Sequence, residues 1–196
     1  SAASDVYKRQ IYDALSPNTQ ADASTTGKGV DGGQVEDSAV IAYRLSRLIN
    51  CPVVATGEED YVSDGTRVFA VPHGHPIMTA VTGTGCLLGA VLAAFLSAYY
   101  PWKNRLSIGE FLAYALAYYG LAGESAVQVS GVKPGSFSVA FMDSLYTLND
   151  AVLISENRIR PVVVPDQLQV YFISGTQDVE LNENRLLSIV EDACRG

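Results

Sequence analysis

The segment of this 196-residue chain best suited to chemistry is Val81-Thr82-Gly83-Thr84-Gly85-Cys86. Two glycines two positions apart let the backbone bend so that several N–H groups converge where the apolar stretch from Leu87 begins. If that stretch is a helix, the positive end of its dipole lies at the same point, which makes an anion site. No Gly-Lys-Ser/Thr follows, so this is not a Walker A loop, and the third glycine and later acid of a dinucleotide fingerprint are absent. Taken alone, the motif fits a plain helix-starting turn equally well. Upstream stand Thr56 in Val54-Ala55-Thr56-Gly57-Glu58-Glu59-Asp60, and the pair His73 and His75. Two histidines across one glycine, with no third ligand nearby, make a poor metal site, so no metal ligand is assigned. They read as loop residues that shape the approach to the glycine loop.

The elements that must position these residues follow from periodicity. Residues 35–50 are amphipathic, with Ala39, Ala42, Tyr43, Leu45, Leu48 and Ile49 on one side, and Cys51-Pro52 stops the helix. Val53-Val54-Ala55-Thr56 is a short strand. Helix followed by apolar strand is the rhythm of α/β folds with a parallel sheet. Tyr61-Val62-Ser63, Asp64-Gly65 and Val68-Phe69-Ala70-Val71 make a hairpin. Residues 86–100 are a core helix ended by Pro101; Ser107-Ile108-Gly109-Glu110 is a capping box opening a helix to about residue 128. In that helix Tyr114, Tyr118 and Tyr119 read as packing residues. A last helix follows Pro134-Gly135 and reaches Leu148.

Composition narrows the function classes. The hydrophobic fraction is 48% and the charged fraction 17%, fitting a packed globule rather than disorder. A net charge of -8 repels nucleic acid and anionic lipid, while a small anion held by backbone N–H groups remains possible. Three cysteines without C-x-x-C spacing suggest neither a disulfide framework nor a zinc site, which favours a reducing compartment. The apolar run at 86–100 is shorter than the roughly 20 residues a bilayer demands.

Both ends differ from the body. Residues 1–10 join no periodic element, and Asp5-Val6-Tyr7-Lys8-Arg9-Gln10 resembles the translation of a sequencing-library adaptor, so the segment is set aside and coding sequence upstream of Ile11 is expected to be missing. Residues 161–165, PVVVP, read as an extended linker. Beyond it come a strand-like run at 168–174 and a helical pattern from Asn182. This 161–196 stretch resembles the opening βα unit of thiamine-phosphate synthase, a TIM barrel; the other reading is an extension packed on the first domain.

Four stretches in order carry a wider resemblance: VATGEEDYVSDG from Val54, HGHPIM from His73, VTGTGCLLGA from Val81, and Pro134-Gly135-Ser136-Phe137. Across 11–159 they resemble hydroxyethylthiazole kinases, and 11–160 is taken as the C-terminal part of such a domain. Other kinases of the ribokinase-like superfamily carry aspartate where this loop has Cys86. Lys133 departs from the pattern, which has glycine there, and receives no role.

The resemblance implies a ribokinase-like three-layer α/β fold and a homotrimer with sites at subunit contacts, while the cysteine usage points to a cytoplasmic location. It implies ATP and Mg2+, and phosphorylation of the alcohol of 4-methyl-5-(2-hydroxyethyl)thiazole in thiamine salvage. Thr56 matches a position contacting ATP, Gly83 one whose backbone approaches the thiazole, and Cys86 the position beside the reacting hydroxyl. Gly83, Thr84, Gly85 and Cys86 together form the anion hole. Cys86 at a helix start, where the dipole favours a thiolate, would position the alcohol and act as a weak base. The magnesium and phosphate-clamping residues of the family lie mostly in an N-terminal half that this chain lacks, so the fragment alone is expected to be inactive. Two rivals remain: another ribokinase-like kinase, such as a hydroxymethylpyrimidine or sugar kinase, and a non-catalytic module keeping the fold.

Overall fold

A computed structural model describes residues 35–164. The adaptor-like start and the TIM-barrel-like unit from 168 onward lie outside the described residues.

Helix α1 (Val35–Ile49) forms as its apolar spacing predicts, burying Ala39, Ala42, Tyr43 and Leu45. It ends one residue earlier than Cys51-Pro52 suggests, because Asn50 turns left-handed at φ 50° and the Cys51 N–H reaches back to the Ser46 carbonyl at 3.2 Å. Strands β1 (Val53–Ala55), β2 (Asp60–Ser63) and β3 (Val68–Val71) follow as a meander, and β4 (Arg160–Val162) closes the far edge in the order β1-β2-β3-β4.

Every pairing among these strands is antiparallel, which corrects the parallel sheet expected from the helix–strand rhythm. For the β1-β2 and β2-β3 pairs the reason is connection length. Residues 56–59 and 64–67 are four-residue links, and a parallel pair needs a crossover of a dozen or more. β4 is a second correction. The PVVVP run, expected to be a linker, begins inside a strand whose Pro161 lies opposite Phe69. Proline is tolerated there because β4 is an edge, where one side needs no ladder N–H.

Alternation along the strands gives each face its own helix. Tyr61, Val68 and Ala70 pack with Ala39, Ala42 and Tyr43 of α1. Val62, Phe69 and Val71 pack on the other side with Leu112, Ala113 and Leu116 of α3 (Ile108–Ser130). The sheet is therefore covered on both faces. Ser107 caps α3 by accepting from the Glu110 N–H at 3.1 Å, as the capping box predicts. The same hydroxyl bonds to Asp64 in the hairpin turn. Burial resists ionisation of Asp64, but hydrogen bonds from Thr66, the Arg67 N–H and Ser107 outweigh it and hold the carboxyl at about 2. The turn is thus fastened to the start of α3.

Helix α2 (Thr84–Ser97) was expected to be a core helix, yet Leu88 is its one buried residue and Ala90, Ala93 and Leu96 face outward. A helix apolar on all sides gives no sequence signal of which face the neighbouring elements cover. Helix α4 (Pro134–Thr147) starts with proline in its first turn, as expected, and buries Phe137 and Phe141 against α3. The short helix α5 (Asp150–Ser155), capped by Asn149, was not foreseen.

Two glycines in the middle of α3 mark where the chain passes closest. A Cβ at Gly120 would stand 2.5 Å from the His73 Cβ and 2.7 Å from its backbone carbon, while one at Gly123 would meet the Met78 sulfur at 2.5 Å. Helix propensity alone predicts that Gly120→Ala stabilises by about 1 kcal/mol. Overpacking against backbone should instead cost about 1–3 kcal/mol and lower the Tm. A raised Tm in thermal unfolding would show that the 73–78 segment moves away freely.

Candidate active site

The 73–78 segment and the start of α2 meet over α3. His75 opens a 3-10 turn, Pro76–Ala80, its Nδ1 accepting from the Ile77 N–H at 3.2 Å. This occupies the imidazole in holding the turn. The turn brings the Met78 carbonyl to Thr84, whose hydroxyl donates inward at 2.8 Å from that oxygen and 3.1 Å from the Val81 carbonyl.

Gly83 caps α2 at φ 95°, a left-handed backbone that only glycine adopts at little cost, and a Cβ there would meet nothing within 4 Å. The loop is consequently open on its outer side. The first bond of the helix runs from the Leu87 N–H to the Gly83 carbonyl at 2.9 Å. The N–H groups of Thr84, Gly85 and Cys86 come before it and have no acceptor within the helix. Cys86 sits in this first turn and is exposed. Three of the four loop residues thus keep N–H groups without an intrahelical acceptor, while the Thr84 side chain is spent on holding the loop.

Thr56 follows β1 and is exposed. Val54 of β1 packs on the same core as Val81 and Leu87, which flank the glycine loop, so both candidate segments hang from one body. The loop after Thr56 is braced: Asp60 accepts from the Gly57 N–H at 2.9 Å, and Glu59 takes the Tyr61 hydroxyl and the Arg160 guanidinium, the latter at 2.7–2.8 Å. Burial and the Glu59 carboxylate push the Tyr61 phenol up to about 12.

His73 belongs to neither a metal pair nor an open loop. Its side chain is fully buried, Nε2 accepts from the Arg158 N–H at 3.2 Å, and Nδ1 lies 2.9 Å from the Arg158 guanidinium and 3.5 Å from Glu124. Glu124 in turn accepts from the Gly74 N–H at 2.9 Å and from Arg158. A charged imidazolium would set N–H against N–H at Nε2. Burial, with Arg158 alongside, accordingly holds His73 below its ordinary value despite the pull of Glu124. The sign is clear: above the unfolded value of about 6.5 both states are neutral, and below it the unfolded chain binds a proton that the folded chain resists. Stability should therefore fall on acidification below about pH 6.5, by up to about 1.4 kcal/mol per pH unit from this group. Urea midpoints at neutral and mildly acidic pH test this. The loss should be smaller in His73→Gln, and an identical loss in both proteins would clear His73 of it.

Sequence reasoning missed Glu124, Arg158 and Tyr119, whose hydroxyl donates to the Thr84 carbonyl at 2.6 Å. The signal available was Gly120 and Gly123: glycine inside a helix marks a close approach, here of the segment leading to the loop.

With this geometry in hand, similarity to known proteins is informative. The hydroxyethylthiazole kinase family matches residues 18–151, most of the chain and all of the loops described above. The chain belongs to the hydroxyethylthiazole kinase family. A hydroxyethylthiazole kinase of Streptococcus agalactiae is 37% identical over 158 residues, covering 78% of this chain and 60% of the relative. One from Tolumonas auensis is 44% identical over 138 residues, covering 69% and 49%. The solved hydroxyethylthiazole kinase of Pyrococcus horikoshii superposes with a TM-score of 0.58 at 35% identity, covering 65% of this chain and 47% of that one. The chain spans about half the length of the curated relatives it matches. No helix among the described residues is long and apolar enough to cross a membrane.

Proposed function

We propose that this chain is part of a kinase that transfers the γ-phosphoryl group of ATP to the primary alcohol of 4-methyl-5-(2-hydroxyethyl)thiazole. Family membership supports the reaction, and the observation that carries it to particular residues is the glycine loop. Gly83 has open space where a Cβ would stand, the first-turn N–H groups have no acceptor within the helix, and Cys86 in the same turn is exposed. Phosphoryl transfer needs positioning and charge stabilisation more than covalent chemistry. In this reading the alcohol oxygen attacks the γ-phosphorus as the bond to the β-phosphate oxygen breaks, releasing ADP. The alcohol proton passes to Cys86 or to solvent. Charge on the equatorial oxygens meets the N–H groups of Thr84, Gly85 and Cys86, each typically worth about 3 kcal/mol. Gly83 lets the backbone approach the thiazole, and Thr56 contacts ATP from the end of β1.

Magnesium is the expected companion of ATP. Among the described residues no three His, Cys, Asp or Glu side chains converge on a metal position, so none is assigned to it and no step is routed through it. The ribokinase-like fold, a kinase domain that runs from 11 through β4, a thiamine-phosphate synthase-like unit beyond it and trimeric assembly complete the reading on the strength of resemblance, with a cytoplasmic location suggested by the cysteine usage.

The test joins the chain to the part of a relative that it does not span. The joined protein should phosphorylate the thiazole alcohol and discriminate against hydroxymethylpyrimidine and sugars. Comparable kcat/KM for hydroxymethylpyrimidine would sink the assignment and favour the broader superfamily.

A further inference from the structure

We infer that Tyr119 is a positioning residue for the anion-binding loop, aiming and polarising the Gly85 N–H through the carbonyl of Thr84; the inference rests on the reading of that loop given above. Tyr119 sits in α3, between the buried Ala117 and Gly120, and is itself only 5% exposed. Its ring meets Phe141 edge-on at 5.0 Å, which fixes the direction of the hydroxyl. That hydroxyl donates to the Thr84 carbonyl at 2.6 Å, across 35 residues of sequence. Burial pushes the phenol up to about 12, so it remains a donor throughout the neutral range.

The carbonyl of Thr84 and the N–H of Gly85 belong to one peptide unit. The chain has no cis peptide among its described residues, so these two groups point in opposite directions. Holding the oxygen toward the core fixes the plane of the peptide and turns the N–H outward at the helix start. A hydrogen bond accepted by the carbonyl also polarises the amide and strengthens its N–H as a donor. Thr84 opens α2, so helical geometry already orders this peptide, and Tyr119 adds a hold on it from a second helix. The Thr84 hydroxyl ties the side chain to Met78 and Val81, but Tyr119 alone among the described hydrogen bonds reaches the peptide oxygen from outside α2. The hydroxyl therefore acts on the loop without touching substrate.

Tyr119→Phe keeps the ring and its contact with Phe141 and removes only the donor. The experiment is an amide NMR titration of the 196-residue chain with millimolar inorganic phosphate, in wild type and variant. In wild type the Gly85 and Cys86 amides should shift saturably. In the variant, phosphate affinity should fall about fivefold, the worth of one neutral hydrogen bond. The Gly85 nitrogen resonance should also move before any phosphate is added, while amides of α1 stay in place. That last readout reports the polarised peptide directly, and general loosening of the fold would not confine itself to it. Equal phosphate affinity in the two proteins overturns the assignment of Tyr119 and leaves the loop's role standing. A wild-type chain whose Gly85 and Cys86 amides ignore phosphate overturns the loop's role and this inference with it. Should the variant fold poorly, the Thr84 carbonyl carbon of the unsubstituted chain supplies the decision. Its resonance should lie downfield, as for a carbonyl accepting a strong bond, and an ordinary helical value contradicts the inference.

Discussion

Gly83→Val is expected to abolish binding of the thiazole alcohol, with at least about a 100-fold loss of affinity, the size of effect that small misplacements at a site produce. The structure separates the two components of that loss. A side chain at Gly83 meets nothing within 4 Å, so the fold itself offers no clash. The backbone there is at φ 95°, and a β-branched residue resists it, at about 1–2 kcal/mol. Valine should consequently lower stability only modestly while filling the space where the backbone is to meet ligand. Calorimetry on the joined protein measures the affinity, and circular dichroism controls for the fold. Unchanged affinity would count decisively against a substrate role for Gly83.

Cys86 gives the second large effect. Its thiol is exposed, so Cys86→Ala removes no core packing and should leave stability within about 0.5 kcal/mol. Turnover should nonetheless fall by roughly 10²-fold, near the low end of what a general base contributes, with clear residual activity left by the N–H groups. Cys86→Asp should stay active, because a carboxylate in the first turn of α2 is favoured by the dipole and accepts the proton readily. A dead aspartate variant beside a fully active alanine variant would make Cys86 a bystander.

What could be read from sequence was mostly local. Helix α1, the 61–71 hairpin, the Ser107 cap and the proline start of α4 each depend on a few neighbouring residues, and each formed where expected. Direction in the sheet was misjudged because the helix–strand rhythm was weighed above the four-residue links. β4 was missed because its partner strand is some 90 residues away, and Pro161 hides the strand signal. At the site, the glycine loop and Cys86 were legible because turn chemistry and helix starts are written in adjacent residues. What braces the loop is not: Tyr119 packs as expected, but its bond to Thr84, like the links among His73, Glu124 and Arg158, has no local sequence signal. Those contacts span from 34 to 85 residues, and only the glycines at 120 and 123 hinted at them.

The central claim is that the phosphoryl group is transferred at the start of α2, against the N–H groups of the 83–86 loop. A crystal structure of the joined protein with the phosphorylated thiazole alcohol tests it most directly. Phosphate oxygens are expected about 3 Å from the N–H groups of Gly85 and Cys86, with the Cys86 sulfur beside the ester oxygen and the thiazole ring over Gly83. A phosphate bound elsewhere, with the loop facing only solvent, would contradict it.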